Sequence, residues 1–300
     1  MLASQFITLN IILSLSWAPL SSADLQCPIA PIKTTPRILR IGAFNIQRFG
    51  KSKMANREVV NIILKILSKY NIILIQEIVD KREKSLKDLV AMLNNECTDK
   101  VYDFIVSSRI GRKNQKEQYA YIYSKDVIKA AKYFVYQDHG DIFEREPFVA
   151  LFEITRKVYR PKNKLPKFAI IGIHTQPTTA KIELQHLHHV AEFVAKTVTP
   201  NIMIMGDFNA DCEYLRPIHW KNIPLRTNET YKWLIGNESD TTATHTDCAY
   251  DRIVVTGINL TKAVIKGSAQ VFRYDEEFGL DIKQALAVSD HYPVEAKLRY

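Results

Sequence analysis

Asp207 and Asn209 follow a short apolar run, 202–205, across a single glycine, Gly206. On an extended chain, alternate positions face one side. A carboxylate and an amide presented together suit a metal ion or a phosphate ester. An Asx-turn closing a strand uses the same residue types for a purely structural purpose, and both readings stand. The arrangement recurs. Asn45 follows the run 38–44, Glu77 follows 71–76 and His174 follows 168–173. Asp251 stands near the start of 249–255, and Ser289-Asp290-His291 leads into 293–298. Ligands rich in oxygen and poor in nitrogen suit hard cations such as Mg²⁺, Mn²⁺ or Ca²⁺. Hard cations with paired acid and base groups suit phosphodiester hydrolysis. The chain has no Ser-His-Asp set with a nucleophile elbow, no CxxC and no HExxH, which removes those serine-hydrolase and zinc classes.

These groups need strands to carry them. The runs 38–44, 71–76, 101–107, 117–124, 147–155, 168–173, 202–205, 249–255 and 293–298 read as strands. A near-continuous apolar run bounded by a breaker is a strand covered on both faces. In 54–70, Val59, Ile62, Ile63, Ile66 and Leu67 fall at helical spacing. The segments 84–95 and 179–197 also read as helices, and 111–116 as a polar, basic turn. Strands mix with helices without strict alternation. That predicts a four-layer α/β sandwich, two packed mixed β-sheets flanked by helices. His186, His188 and His189 sit on the helix 179–197. They read as a surface cluster, with a metal site as the sharper alternative.

The 300 residues are 46% hydrophobic, enough for one large core. The net charge of +9 points to polyanionic partners such as nucleic acid or glycans, or to a dispersed solubility charge. The apolar stretch 6–20, followed by Ser21-Ser22-Ala23, reads as a cleaved signal peptide over residues 1–23. Asp24 is then the new N-terminus of a single domain, 24–300, in a secreted, extracellular protein. No Lys or Arg precedes the apolar stretch, so a retained anchor is the alternative. No second run is long enough to span a bilayer. Stable membrane association is not expected, and a monomer is. Four cysteines in a secreted chain invite disulfides. Cys212 and Cys248 flank two of the polar motifs and are a candidate pair; Cys27 and Cys97 either pair or stay free. Asn228, Asn237 and Asn259 head glycosylation sequons.

Several blocks resemble the deoxyribonuclease I family: Ile75-Gln76-Glu77, Lys116-Glu117-Gln118-Tyr119, Arg145-Glu146-Pro147, Ile173-His174-Thr175, Gly206-Asp207-Phe208-Asn209, Cys248-Ala249-Tyr250-Asp251-Arg252 and Ser289-Asp290-His291. They come in the family's order and cover nearly all of the chain after the leader. Ser107 to Arg112, SSRIGR, and Lys232 to Gly236, KWLIG, further resemble its gamma-type branch. The resemblance implies a secreted endonuclease that cuts DNA to 5′-phosphate and 3′-hydroxyl ends. It implies His174 as general base and His291 as general acid, oriented by Glu117 and Asp251. It implies Asn45, Glu77 and Asp290 as ligands of a catalytic Mg²⁺ (or Mn²⁺), and a structural or activating Ca²⁺. It further implies that Asp207 and Asn209 position the phosphate, that Arg145 and Arg112 contact DNA, and that Cys212 pairs with Cys248.

The sequence departs from the family in four places. Gln115 replaces a groove-stacking tyrosine, and Val79 replaces an arginine, which weakens minor-groove engagement. Phe148 replaces a small residue of the actin-contacting surface, so actin binding is expected to be weak or absent. The chain stops at Tyr300, without the gamma branch's basic tail. Two other readings compete. One is a related phosphodiesterase such as a sphingomyelinase-like enzyme. The other is a catalytically dead homologue that binds DNA or protein.

Overall fold

The computed structural model describes residues 38–96, 100–112, 116–155, 165 and 167–300. The leader, Cys27, Cys97 and Gln115 lie outside the described residues, as does most of the basic stretch 156–167. In chain order the elements are β1 (Ile38–Phe49), α1 (Lys51–Met54), α2 (Arg57–Leu67), β2 (Ile72–Ile78), α3 (Lys84–Glu96), β3 (Tyr102–Val106), β4 (Gln118–Ser124), β5 (Ile128–Val135), β6 (Phe148–Ile154), β7 (Lys167–Gly172), α4 (Ala180–Thr197), β8 (Ile202–Asp207), α5 (Pro224–Thr227), β9 (Lys232–Trp233), β10 (Asp251–Thr256), α6 (Ile258–Ala263), β11 (Gln270–Val271), α7 (Tyr274–Phe278), α8 (Ile282–Val288) and β12 (Val294–Arg299).

Two six-stranded sheets form, ordered β11-β12-β1-β2-β4-β3 and β5-β6-β7-β8-β10-β9. Each has a central parallel pair, β1–β2 and β7–β8, with antiparallel strands on both sides. Their facing sides build the central core, where Leu39, Ile41 and Leu74 meet Phe152, Ile170, Met203 and Ile253. The outer face of the first sheet packs on α2 and α3, and that of the second on α4. This is the expected four-layer sandwich. The central strands are covered on both faces, which is why they are apolar throughout rather than alternating.

The topology also gathers the chemistry. A parallel pair ends at the edge where its antiparallel neighbours begin. The ends of β1, β2, β7 and β8 and the starts of β4, β6, β10 and β12 therefore share one rim. In register, Asp251 opens β10 directly across from Asp207, which closes β8.

Some elements were not legible. β5 is an edge strand with an irregular step between Ala130 and Lys132, and its exposed lysines blur any period. The helix expected over 54–70 is shorter: α2 starts at Arg57, where the Asn56 side chain caps it by accepting from Val59 N. Phe148 is buried, stacked on Tyr121 at 5.3 Å. Its ring does not stand on the surface, so it offers no steric obstacle there. Val79 is exposed.

Gly206 shows why a glycine sits at this rim. Its φ is +133°, and a Cβ there would stand 2.2 Å from Ile173 O and 2.8 Å from Gln76 Nε2. Only a bare backbone adopts that φ freely and lets the sheets approach so closely. Gly206→Ala is expected to destabilise the protein at the upper end of about 1–3 kcal/mol, because overpacking adds to backbone strain. Urea denaturation checks this, and an unchanged midpoint would contradict it.

Candidate active site

His174 follows β7 and is buried. Its Nδ1 faces Glu117 Oε1 at 2.9 Å, and its Nε2 lies 3.4 Å from Asp207 Oδ2. His291 mirrors it: Nδ1 faces Asp251 Oδ2 at 2.7 Å and Nε2 lies 3.6 Å from the same Asp207 oxygen. Two imidazoles thus present their outer nitrogens to one point, each held from behind by its own carboxylate. A partner on Nδ1 fixes tautomer and ring orientation.

Asp207 is the pivot. Its Oδ1 accepts from Asn209 N at 3.0 Å, the Asx-turn of the structural reading, while Oδ2 meets the imidazoles. Both readings of the pair hold at once. Asn209 Nδ2 donates to Thr175 O at 2.9 Å, tying the loop after β8 to the loop after β7.

The electrostatics follow from burial and pairing. Burial pulls the His291 imidazole down, but Asp251 and then Asp207 outweigh it and hold it well above its ordinary value. His174 is also raised: burial lowers it, and Glu117 is the strongest opposing charge. Burial pushes the Asp207 carboxyl up, but His291 and His174 hold it below its ordinary value.

Asn45, Glu77 and Asp290 converge on the same rim. Asn45 Nδ2 donates to Glu77 Oε1 at 3.0 Å and to Asp207 Oδ2 at 3.3 Å. Its buried Oδ1 has no hydrogen-bond partner, an acceptor left for a cation among carboxylates. Glu77 falls where the β1–β2 and β2–β4 registers shift, and its φ is +59°. A bulge re-aims a side chain in this way. Arg48, Asn209 and Cys212 also have positive φ, so unfavourable backbone concentrates at this rim. Asp290 accepts from Gln47 Nε2 at 2.7 Å. Burial lowers the Lys53 ammonium to about 8, against Asp290 and Glu77, which hold it up. A ligand atom from each of Asp207, Asp251 and His291 also lies within 4.8 Å of the others. Oxygen donors of this kind fit a hard divalent cation.

Other expected residues are placed differently. The Arg145 guanidinium is turned inward, donating to His174 O and Thr175 O at 3.1 Å each. Arg112 lies at the surface, with Nε 3.1 Å from Asp141 and Nη1 3.8 Å from Glu144. Cys212 and Cys248 are joined. His186, His188 and His189 line α4 away from the site. His189 is exposed, whereas His188 is half-buried and its Nδ1 meets the Tyr231 hydroxyl at 3.0 Å.

Sequence reasoning missed several supporting residues. Gln76 reaches from the first sheet to donate to Ile173 O at 2.8 Å, and its Oε1 accepts from Asp207 N at 3.2 Å. The Ser289 hydroxyl donates to Asn45 O at 2.6 Å and accepts from His291 N at 3.2 Å. The Tyr119 hydroxyl accepts from His174 N at 2.8 Å. All three lie inside the recognised blocks, but each has a partner in a distant part of the chain. Gln47 and Lys53 carried no signal. Beside them is a cleft of about 620 Å³ whose lining includes Arg48, Lys51, Lys53 and Lys81.

Residues 42–291 match the Endonuclease/Exonuclease/phosphatase family, the class that this sandwich and its rim define. The chain is 43% identical over 267 residues to Deoxyribonuclease-1 of Gallus gallus, covering 87% of this chain and 92% of that one. It is 40% identical over 278 residues to Deoxyribonuclease-1-like 2 of Homo sapiens, with the same coverages. Its fold is similar to the crystal structure of an endonuclease/exonuclease/phosphatase family protein from Bacteroides thetaiotaomicron. That match has a TM-score of 0.58 at 16% identity and covers 89% of this chain and 99% of the other. The chain belongs to the deoxyribonuclease I family.

Proposed function

We propose that this protein is a divalent-metal-dependent endonuclease that hydrolyses DNA phosphodiester bonds to 5′-phosphate and 3′-hydroxyl ends. The observation that carries the reading is the pair of imidazoles, each backed by a carboxylate and both aimed at Asp207. A scissile phosphate seated beside Asp207 lies between them. His174, with Glu117 behind it, takes the proton from the attacking water. His291, with Asp251 behind it, gives a proton to the leaving 3′-oxygen. Asp207 and Asn209 hold the phosphate's position. Asn45, Glu77 and Asp290 would hold Mg²⁺ or Mn²⁺, and the unpartnered Asn45 Oδ1 supports that set. In the Asp207–Asp251–His291 grouping, Nδ1 of the histidine is engaged by Asp251 itself, which leaves Nε2 as the nitrogen that could meet an ion. A divalent ion held there would offset charge on the phosphate oxygens. A Ca²⁺ ion with a structural role is part of the same reading.

Arg112 at the surface and the basic cleft suit a DNA backbone. The SSRIGR and KWLIG motifs support a place near the gamma-type branch. Cleavage of the 1–23 leader, secretion and a monomeric state belong to the proposal. All three sequon asparagines are exposed, which suits glycosylation. Among the described residues no helix is long and apolar enough to cross a membrane. Weak or absent actin binding rests on the resemblance alone, and a nanomolar actin complex would refute it.

Plasmid nicking tests the function. Relaxed circles are expected with Mg²⁺ and none with EDTA, and the nicks should be sealed directly by ligase. Folded protein that leaves DNA intact with Mg²⁺, Mn²⁺ and Ca²⁺ but releases choline from sphingomyelin favours the phosphodiesterase alternative. Unchanged DNA binding with no cleavage favours the catalytically dead one.

The pH profile tests the role of Asp251. A general acid must be protonated, so activity is lost as pH rises through the His291 pKa. Asp251 is the largest charge raising that pKa. Asp251→Asn therefore moves the alkaline limb of kcat/KM to lower pH, by about 1–3 pH units for a lost neighbouring charge. An alkaline limb that stays in place contradicts the assignment.

A further inference from the structure

Arg145 lies three residues before β6, at the rim, yet its side chain is only 10% exposed. Nε donates to His174 O and Nη2 to Thr175 O, each at 3.1 Å. Nε also stands 3.3 Å from Glu117 Oε1, the same oxygen that faces His174 Nδ1. One planar cation therefore grips both the backbone of His174 and the carboxylate that orients its ring. Behind it lies Glu183, fully buried, which accepts from Thr179 Oγ1 at 2.7 Å and Gln176 N at 3.1 Å. That carboxylate closes the turn that follows Thr175. A phosphate contact needs a donor fork open to the ligand. Here two of the three guanidinium nitrogens are spent on protein acceptors.

We infer that Arg145 is a positioning residue, which holds Glu117 and the 174–175 backbone so that His174 Nε2 points at the phosphate seat beside Asp207. The inference rests on the nuclease reading above. A lysine cannot replace the clamp, because a single ammonium lacks the planar fork that spans these acceptors. A misplacement of about 1 Å at a reacting group costs about 10²-fold in rate.

The test uses Arg145→Lys and Arg145→Met in the full chain, with three readouts. Plasmid cleavage gives kcat and KM. Anisotropy of a labelled duplex in EDTA gives the salt dependence of binding. Proton NMR in EDTA follows the His174 Nδ1–H signal. Positioning predicts that kcat falls by about 10²-fold in both variants. KM and the salt slope stay unchanged, and the Nδ1–H signal moves. A DNA-backbone role predicts the opposite, and either of its signatures overturns the inference: KM rising with kcat kept, or a slope reduced by about one in Arg145→Met. If Arg145→Met does not fold, Arg145→Lys decides: full kcat overturns the clamp, and lost kcat at unchanged KM supports it. If wild type binds DNA and never cleaves it, the nuclease reading fails by itself. The NMR signal then decides the clamp, and an unmoved resonance in Arg145→Lys overturns it.

Discussion

His174→Ala and His291→Ala are each expected to lower the rate of DNA cleavage by about 10²–10⁴-fold, the contribution of a positioned proton-transfer group. In the proposed mechanism the two imidazoles serve opposite sides of one phosphate, so losing either would stop the same step. The double variant then loses little beyond the worse single one, as groups acting as a unit do. Stability separates the two. Without His174, Glu117 keeps Arg145 at 3.3 Å, and the buried carboxylate stays paired. Without His291, Asp251 is fully buried and has no arginine or lysine within 4.0 Å among the described residues. Leaving a buried charge unpaired is costly, so His291→Ala should lower the melting temperature more than His174→Ala. His291→Gln restores a donor to Asp251 without restoring proton transfer. It should recover stability and remain inactive. Initial rates of plasmid relaxation and thermal melts measure both effects. Near-normal cleavage by either alanine variant would sink the assignment.

Removing the Cys212–Cys248 bond with a Cys212→Ser, Cys248→Ser pair should destabilise the protein by about 3–4 kcal/mol in the chain-entropy model. The bond closes a loop with a sequence separation of 36. The loss should also reach the site. Cys212 lies three residues after Asn209, and Cys248 three before Asp251. Between them Ala249 N donates to Asp211 Oδ2 at 2.8 Å and Phe208 N donates to Tyr250 O at 2.9 Å. These contacts keep Asp207 and Asp251 opposite each other across β8 and β10. The variant should therefore lose activity at temperatures where it is still largely folded. Guanidinium denaturation gives the stability change, and a loss below about 1 kcal/mol would contradict the model.

The layers of this protein were legible because its central strands are buried on both faces. Burial on both sides makes a run such as 202–205 apolar without interruption, and a polar residue at its end then stands out. Asn45, Glu77, His174 and Asp207 were visible for that reason. Composition and periodicity alone did not say which carboxylate serves which histidine. Glu117 and Asp251 came to their roles through resemblance to a family.

What the sequence by itself determined is local: which stretches are core strands, where each ends, and which residue stands there. Tertiary structure decided everything that depends on two strands meeting. Asp207 serves both imidazoles because β7 and β8 run parallel while β10 and β12 start at the same rim. Gln76 reaches Ile173 and Asp207 because a glycine lets the sheets touch. Arg145 reads in sequence as a cation free to meet DNA, and in the fold it faces inward on Glu117. A side chain's partner is set by the register and packing of distant strands, and those are long-range properties that no local pattern encodes.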